Sequence, residues 1–312
     1  MSPLSFRYVS DLHLEFAFAT SLASYEDPLE KLDQVFADLA IQKIPHLDTD
    51  PQTVLLLAGD ICEAWRATTR YAGFFESLSK RFAEVLWVGG NHEYYGHKLS
   101  DSHNQRIAKA VEERWTNVKF CDRRRVDFTN WSQTVTVLAT TLWTNFDKAN
   151  PVAMLAAGDK MNDYRAITFA DVDRDIFRSL RPLDTLGRHK AEWKWLTTEI
   201  NKVVEEDSKR RIIVMTHHAP SYQSIPDRYL MSNDILNAAY ASNLRFADIK
   251  RMPNLWIHGH LHDPVMYNLG ECRVVSNPCG YMTEPHNDQY DGYASVCYDQ
   301  LDEIDVYDED PL

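Results

Sequence analysis

The chain has 312 residues, with 33 Lys and Arg against 46 Asp and Glu for a net charge of −13, and is 44% hydrophobic and 25% charged. This balance excludes a disordered or fibrous chain and sets an acidic field against sequence-independent binding of DNA or RNA. No apolar run reaches the ~18 residues of a spanning helix, and Met1 to Ser10 lacks a basic start followed by an apolar stretch, so a cytoplasmic protein with no membrane insertion is expected.

Phe6–Ser10, Thr53–Ala58 and Glu84–Gly89 are short runs rich in Val and Leu, each ending at a polar or glycine-containing turn, as buried strands do. Helical patterns lie between them at about 29–41 and 68–82. Alternating strand and helix implies crossover connections and a largely parallel sheet. A helix near 101–115 and strands at Val126–Phe128 and Thr134–Thr140 come next. From Leu142 to about Ala170 the pattern loosens, which marks a lid or pocket-wall insertion at about 142–190.

Helices are then expected at about 170–180 and 188–206, strands at Arg211–Thr216 and Asn254–His258, and antiparallel alternation from Val265 to Tyr298. Asn277–Tyr281 reads as a turn between closing strands. No repeat and no linker-like stretch divides the chain, so one domain over 1–312 is expected, although length alone allows two. Cys62, Cys121, Cys272, Cys279 and Cys297 are scattered with no Cys-x-x-Cys pair, which favours reduced thiols.

Side chains with metal-ligand chemistry sit at five strand ends: Asp11 and His13, then Asp60, then Asn91 with His92, then His217 with His218, then His260 and His262. Successive strands of such a sheet deliver their carboxyl ends to one edge, so these distant residues can converge on one site. Packing does not account for the set, because buried Asp and His clustered without a cation leave charges unpaired. His217 and His218 are adjacent and face opposite sides of an extended chain; His217 is preferred as the ligand and His218 stays open. His260 and His262 alternate, and point the same way if the backbone is extended there. His258, deeper in its apolar run, reads as a core or supporting histidine. His46, His97, His103, His189 and His286 have no comparable placement.

This ordered set, Asp11-Leu12-His13, Gly59-Asp60, Gly90-Asn91-His92-Glu93, His217 and Gly259-His260-Leu261-His262, resembles the calcineurin-like metallophosphoesterase family across residues 11–262. The resemblance implies an α/β fold: a four-layer α/β/β/α sandwich of two mixed β-sheets flanked by helices, with two metal ions at one end. It further implies that Asp11, His13 and His262 hold one metal, that Asn91, His217 and His260 hold the other, that Asp60 bridges them, and that His92 is the acid just outside them. Imidazole and oxygen donors suit Mn, Fe, Zn or Ni, and a shared carboxylate holds two ions about 3.5–4 Å apart. The implied activity is hydrolysis of a phosphoester by a metal-bridging hydroxide, with His92 protonating the departing alkoxide.

Trp143, Asn145, Met161, Asn162, Asp163, Tyr164 and Arg165 lie in the loose stretch as candidate pocket walls, with Asn145, Tyr164 and Arg165 taken as substrate-binding. Arg165 or Arg188 would suit a bidentate clamp on a phosphoryl oxygen. The expected partner is a small phosphodiester or phosphomonoester such as a nucleotide, the diester slightly ahead. A metal-dependent nuclease acting on DNA or RNA ends is the alternative, opposed by the charge balance. A non-catalytic scaffold is opposed by the intact ligand set. Neither His-Glu-x-x-His nor Gly-x-Ser-x-Gly occurs, which sets aside zinc-protease and serine-hydrolase readings.

Overall fold

A computed structural model describes residues 3–16, 28–130, 133–171, 174–231, 234–281, 283–284 and 287–302; His286 lies outside them. In chain order its strands are β1 (Ser5–Val9), β2 (Thr53–Leu57), β3 (Glu84–Val88), β4 (Lys98–Leu99), β5 (Val118–Cys121), β6 (Arg124–Asn130), β7 (Gln133–Ala139), β8 (Thr168–Asp171), β9 (Ile176–Ser179), β10 (Arg211–Met215), β11 (Leu255–His258), β12 (Val265–Leu269), β13 (Cys272–Ser276) and β14 (Ser295–Cys297). The longer helices are α1 (Pro28–Lys43), α2 (Ala72–Arg81), α3 (Asp101–Arg114), α4 (Pro151–Lys160) and α5 (Pro182–Glu206).

Two mixed sheets face each other. One runs β14-β1-β2-β3-β5, parallel except for β14. The other runs β12-β13-β11-β10-β7-β6, with parallel central strands and antiparallel edges at β12 and β6. Alternation within single strands builds the layers. Val54 and Leu56 of β2 point inward with Phe6, Leu86 and Val88 to meet Val137, Ile213 and Ile257 of the second sheet. Leu55 and Leu57 point outward with Val85 and Trp87 to pack on Phe36, Phe74 and Leu78 of α1 and α2. On the far side, Leu196, Ile200 and Val203 recur at helical spacing along α5 and cover Ile212, Val214 and Trp256. The layer order is helix, sheet, sheet, helix, as expected. Strands buried on both faces read as continuous apolar runs, which is why they stand out in the sequence.

Two elements differ from expectation. The segment read as a helix at about 170–180 forms the antiparallel pair β8 and β9, in register from Thr168 opposite Ser179 to Asp171 opposite Ile176. Its β8 also pairs in parallel with β4, so the hydrogen bonding comes from partners remote in sequence. The helix expected from 188 starts at Pro182, where proline takes the first turn and Asp184 accepts the Arg181 N–H at 2.9 Å. The loosely patterned stretch is not structureless either: it contains α4 and packs Trp143, Phe146, Ala157 and Tyr164 into a separate core with Leu180 and Leu186. Among the described residues no helix is long and apolar enough to cross a membrane.

His189 of α5 ties this extra core to the sandwich through Nδ1, 2.5 Å from the Trp143 carbonyl. Burial pushes its pKa down to about 4, against the raising effect of that hydrogen bond. The unfolded chain, with an ordinary histidine near 6.5, binds the extra proton first as pH falls. Stability is therefore full above about 6.5 and is lost as pH drops toward 4; between pH 7 and 4.5 the loss from His189 is roughly 2 kcal/mol. Denaturant unfolding at those two pH values should reveal it, and His189→Gln should flatten the slope. An unchanged slope in the variant would remove His189 as the cause.

Candidate active site

The carboxyl ends of β1, β2, β3, β10 and β11 lie along one edge of the sandwich, and the loops leaving them carry Asp11 and His13, Asp60, Asn91 and His92, His217, and His260 and His262 in turn. The turns are tight. Asp11, His13, Asp60, His260 and His262 all adopt left-handed backbone conformations, with φ of 54°, 45°, 53°, 74° and 57°. Non-glycine residues enter that region at a cost, and a cluster of them is a mark of a site held by its surroundings. Two glycines let the loops close. A Cβ at Gly90 would run into Asp60 Oδ1 and the His217 ring, and one at Gly259 would sit 2.6 Å from Asp11 Oδ2. His260 and His262 are thus on a left-handed turn rather than an extended strand, and the two rings serve opposite halves of the cluster.

The ligand-type atoms fall into two adjoining groups, Asp11 with His13 and His262, and Asp60 with His217 and His260. His13 Nε2 lies 3.0 Å from His262 Nε2, which is 3.4 Å from Asp11 Oδ1. Asp60 lies between the groups: Oδ1 is 3.4 Å from His217 Nε2 and Oδ2 is 3.9 Å from His13 Nε2. Asn91 Oδ1 is 3.1 Å from His217 Nε2.

Hydrogen bonds on the outer side fix which atom each group presents. His13 Nδ1 donates to Glu15 at 3.1 Å, His262 Nδ1 to Glu284 at 2.8 Å, and His217 Nδ1 to the Ala58 carbonyl at 3.0 Å. Asn91 donates its amide N–H to Asp163 at 2.9 Å, leaving Oδ1 to face the cluster. With the N–H groups turned outward, the inner face is a set of lone pairs and carboxylate oxygens at 3.0–3.4 Å from one another. Such acceptors repel unless a proton or a cation lies between them. The buried Nε2 of His260 likewise has no hydrogen-bond partner among the described residues. The local field expresses the same demand: burial opposes charge on His217 and His262, yet Asp60 raises His217 to about 9, and Asp11 and Glu284 raise His262 to about 10. Nitrogen and oxygen donors without thiolate fit the Mn, Fe, Zn or Ni class.

His92 stands beside the cluster with Nε2 4.0 Å from Asp60 Oδ2 and 3.2 Å from the Tyr281 hydroxyl. Its Nδ1 donates to the Glu15 oxygen that also receives His13, at 2.8 Å, and Tyr95 stacks on the ring with centroids 4.1 Å apart. Burial disfavours the charged ring, but Asp60 and Glu15 outweigh it and hold the pKa up to about 9. The trio His13, Glu15 and His92 also has ligand-type spacing, but its contacts are closed by the two N–H···O bonds to Glu15. Below the site, buried Glu93 accepts the backbone N–H groups of Asp60, Ile61 and Gly90 and the Trp87 indole N–H, which pins two of the loops together.

His217, not His218, faces Asp60; His218 packs against Trp143 and His260, with ring centroids 5.0 and 4.3 Å away. His258 is a buried support whose Nε2 is 2.9 Å from the Ser224 hydroxyl.

A cavity of about 460 Å³ opens onto the cluster, lined by Asp60, His92 and His260 at one end and by Met161, Asn162 and Asp163 among others. The expected pocket residues Asn145, Tyr164 and Arg165 are not in its lining. Tyr164 is buried in the extra core with its hydroxyl 3.3 Å from Thr185. Arg165 turns to the Asp159 carbonyl, and Asn145 caps the turn at Phe146–Ala149 beside a different hollow. Arg188 is held by Asp101 at 2.8 Å and Asp122 at 3.2 Å, leaving it no phosphoryl role. The sequence reading passed over Glu15, Tyr95, Tyr281 and Glu284, and named Asp163 as a pocket wall without its hold on Asn91. Only Glu15, two residues after His13, carried a local signal.

A family model described as calcineurin-like phosphoesterase matches residues 4–264. An uncharacterised protein of Acanthamoeba polyphaga mimivirus is 25% identical over 311 residues, covering 95% of this chain and 97% of its own. The crystal structure of phosphopantetheinyl hydrolase from Mycobacterium tuberculosis superposes with a TM-score of 0.58 at 15% identity, covering 94% of this chain and 96% of that one. A dimetal phosphatase from Danio rerio aligns at a TM-score of 0.39 and 12% identity, over 88% and 87%.

Proposed function

Because the chain belongs to the calcineurin-like phosphoesterase family and is a metal-dependent phosphoester hydrolase, we propose that it cleaves a small phosphodiester or phosphomonoester, such as a nucleotide, with two divalent or transition-metal ions. Asp11, His13 and His262 would hold one ion, Asn91, His217 and His260 the other, and Asp60 both. Such a pair supplies positive charge for the phosphoryl oxygens and a water acidic enough to attack near neutral pH.

The protein's own groups do the rest. Glu15 keeps the Nδ1 proton of His92 occupied, so Nε2 is the atom that delivers a proton to the departing oxygen. Tyr95 and Tyr281 hold the ring in that attitude. Asp163 keeps the Asn91 carbonyl inward. The observation that carries this reading is the inward set of acceptors, with the N–H groups of His13, His262, His217 and Asn91 satisfied on the far side. The net charge of −13 sets an acidic field against polyanions, so a small ester is preferred to a nucleic acid.

Dialysis against a chelator should abolish turnover of bis(p-nitrophenyl) phosphate and p-nitrophenyl phosphate, and added Mn²⁺ should restore it, without cleavage of oligonucleotides. Full turnover in the stripped protein would overturn the reading.

A further inference from the structure

The cavity extends well past the cluster, and its far wall comes from a different part of the chain. Ile225, Leu236 and Tyr240 lie between β10 and β11, Met161 ends α4, and Leu261 separates the two histidines. Met161 and Ile225 are buried, while Tyr229 of the lining and, near it along the chain, Leu230, Met231 and Ile235 are exposed, Met231 by 86%. Apolar surface left open beside a polar cluster marks a place where an organic group is covered. The volume, about 460 Å³, lies in the range of cavities that enclose an organic ligand.

The lining carries no positive surplus. Both arms of Arg228 are spent on the Asp263 carboxylate, at 2.8 and 2.6 Å. Among the described residues Arg228 and Lys160 are the cations of the lining, against Asp163, Asp234, Asp263 and Glu284 in addition to Asp60. A second anionic group placed here would be desolvated among carboxylates with no surplus cation to meet it.

Resting on the hydrolysis reading above, we propose that this wall receives the organic half of the substrate, an uncharged, ring-bearing alcohol of about nucleoside size, and discriminates against one that carries further negative charge. The tyrosine and aliphatic side chains offer ring faces and apolar area to such a group, and the cluster engages only the ester phosphate.

Three p-nitrophenyl esters test this on the Mn²⁺-loaded chain: methyl p-nitrophenyl phosphate, p-nitrophenyl thymidine 5′-phosphate, and the same thymidine ester bearing a 3′-phosphate. The thymidine ester should exceed the methyl ester in kcat/KM by at least about tenfold, equivalent to about 1.4 kcal/mol, and the 3′-phosphate should remove that advantage. In Tyr240→Ala and Leu236→Asp the ratio of thymidine to methyl ester should fall toward one, a comparison in which loss of folded protein cancels. A ratio near one in the native chain, or a 3′-phosphorylated ester turned over as well as its parent, overturns the proposal. If no ester is hydrolysed, it is the hydrolysis reading that fails. Calorimetry with thymidine 5′-(methyl phosphate) against dimethyl phosphate then reads the pocket alone: tighter binding of the thymidine compound supports it and equal binding overturns it.

Discussion

Asp60→Asn should lower kcat/KM by more than about a hundredfold and take bound metal from two ions per chain to one or none. Asp60 is the group that touches both halves of the cluster: its Oδ1 reaches His217 and accepts the His92 backbone N–H at 2.9 Å, and its Oδ2 faces His13 and His92. Burial would favour the neutral acid, but the neighbouring imidazoles, His217 first and then His92, hold its carboxyl well below the usual carboxylate range. The amide removes that charge and turns an N–H₂ toward groups that are themselves poised to bind a cation. Losing even a partner that merely orients a ligand costs about 10- to 100-fold in metal affinity or activity, so loss of a shared ligand should cost more. Metal analysis and kinetics on the same preparation check this; two retained ions with near-native turnover would mean that Asp60 does not bridge.

His92→Ala should separate leaving groups. A side chain that protonates the departing oxygen contributes about 10²–10⁴-fold, and only where that oxygen needs the proton. Esters of alkyl alcohols should therefore slow by about that factor, while p-nitrophenyl esters, whose phenolate leaves unaided, should change little. Metal content should stay at the native level, because the Nδ1 of His92 is spent on Glu15 and its Nε2 points beside the cluster. Equal slowing of both ester types would reduce His92 to a structural part, and loss of metal would make it a ligand.

Much of this site was legible in the sequence for a definite reason. Strands buried on both faces leave continuous apolar runs, and in a parallel arrangement the polar residues just after them reach one edge. Asp11, His13, Asp60, Asn91, His217, His260 and His262 each follow such a run, and their side-chain chemistry narrows what can hold them together. The four-layer fold followed from the resemblance those residues carry.

What was not legible depends on contacts between remote segments. Glu284 reaches His262 from beyond β13, and Asp163 reaches Asn91 from the stretch before β8; nothing near either residue in the sequence announces the partner. The hairpin of β8 and β9 was misread because its charged, irregular sequence carries no period-2 signal, and its bonds to β4 are long-range. Within Asn162–Arg165 the expected walls Asn162 and Asp163 line the cavity, while Tyr164 and Arg165, taken as substrate-binding, do not, for a local reason. These residues form a single helical turn, Asp163–Ala166, which sends Asp163 to the cavity and Tyr164 to the core. A loose pattern cannot tell one face of a short turn from the other. Whether His260 and His262 sit on extended backbone was left open by the sequence; the left-handed backbone found there is a tertiary constraint of the loop rather than a preference of histidine.

Turnover plotted against ions bound per chain, as the chelator-stripped protein is titrated with Mn²⁺, tests the central claim most directly. The inward-facing acceptors around Asp60 predict two tightly held ions, with activity appearing only as the second is taken up. Saturation at a single ion with full activity, or activity with none, would contradict it.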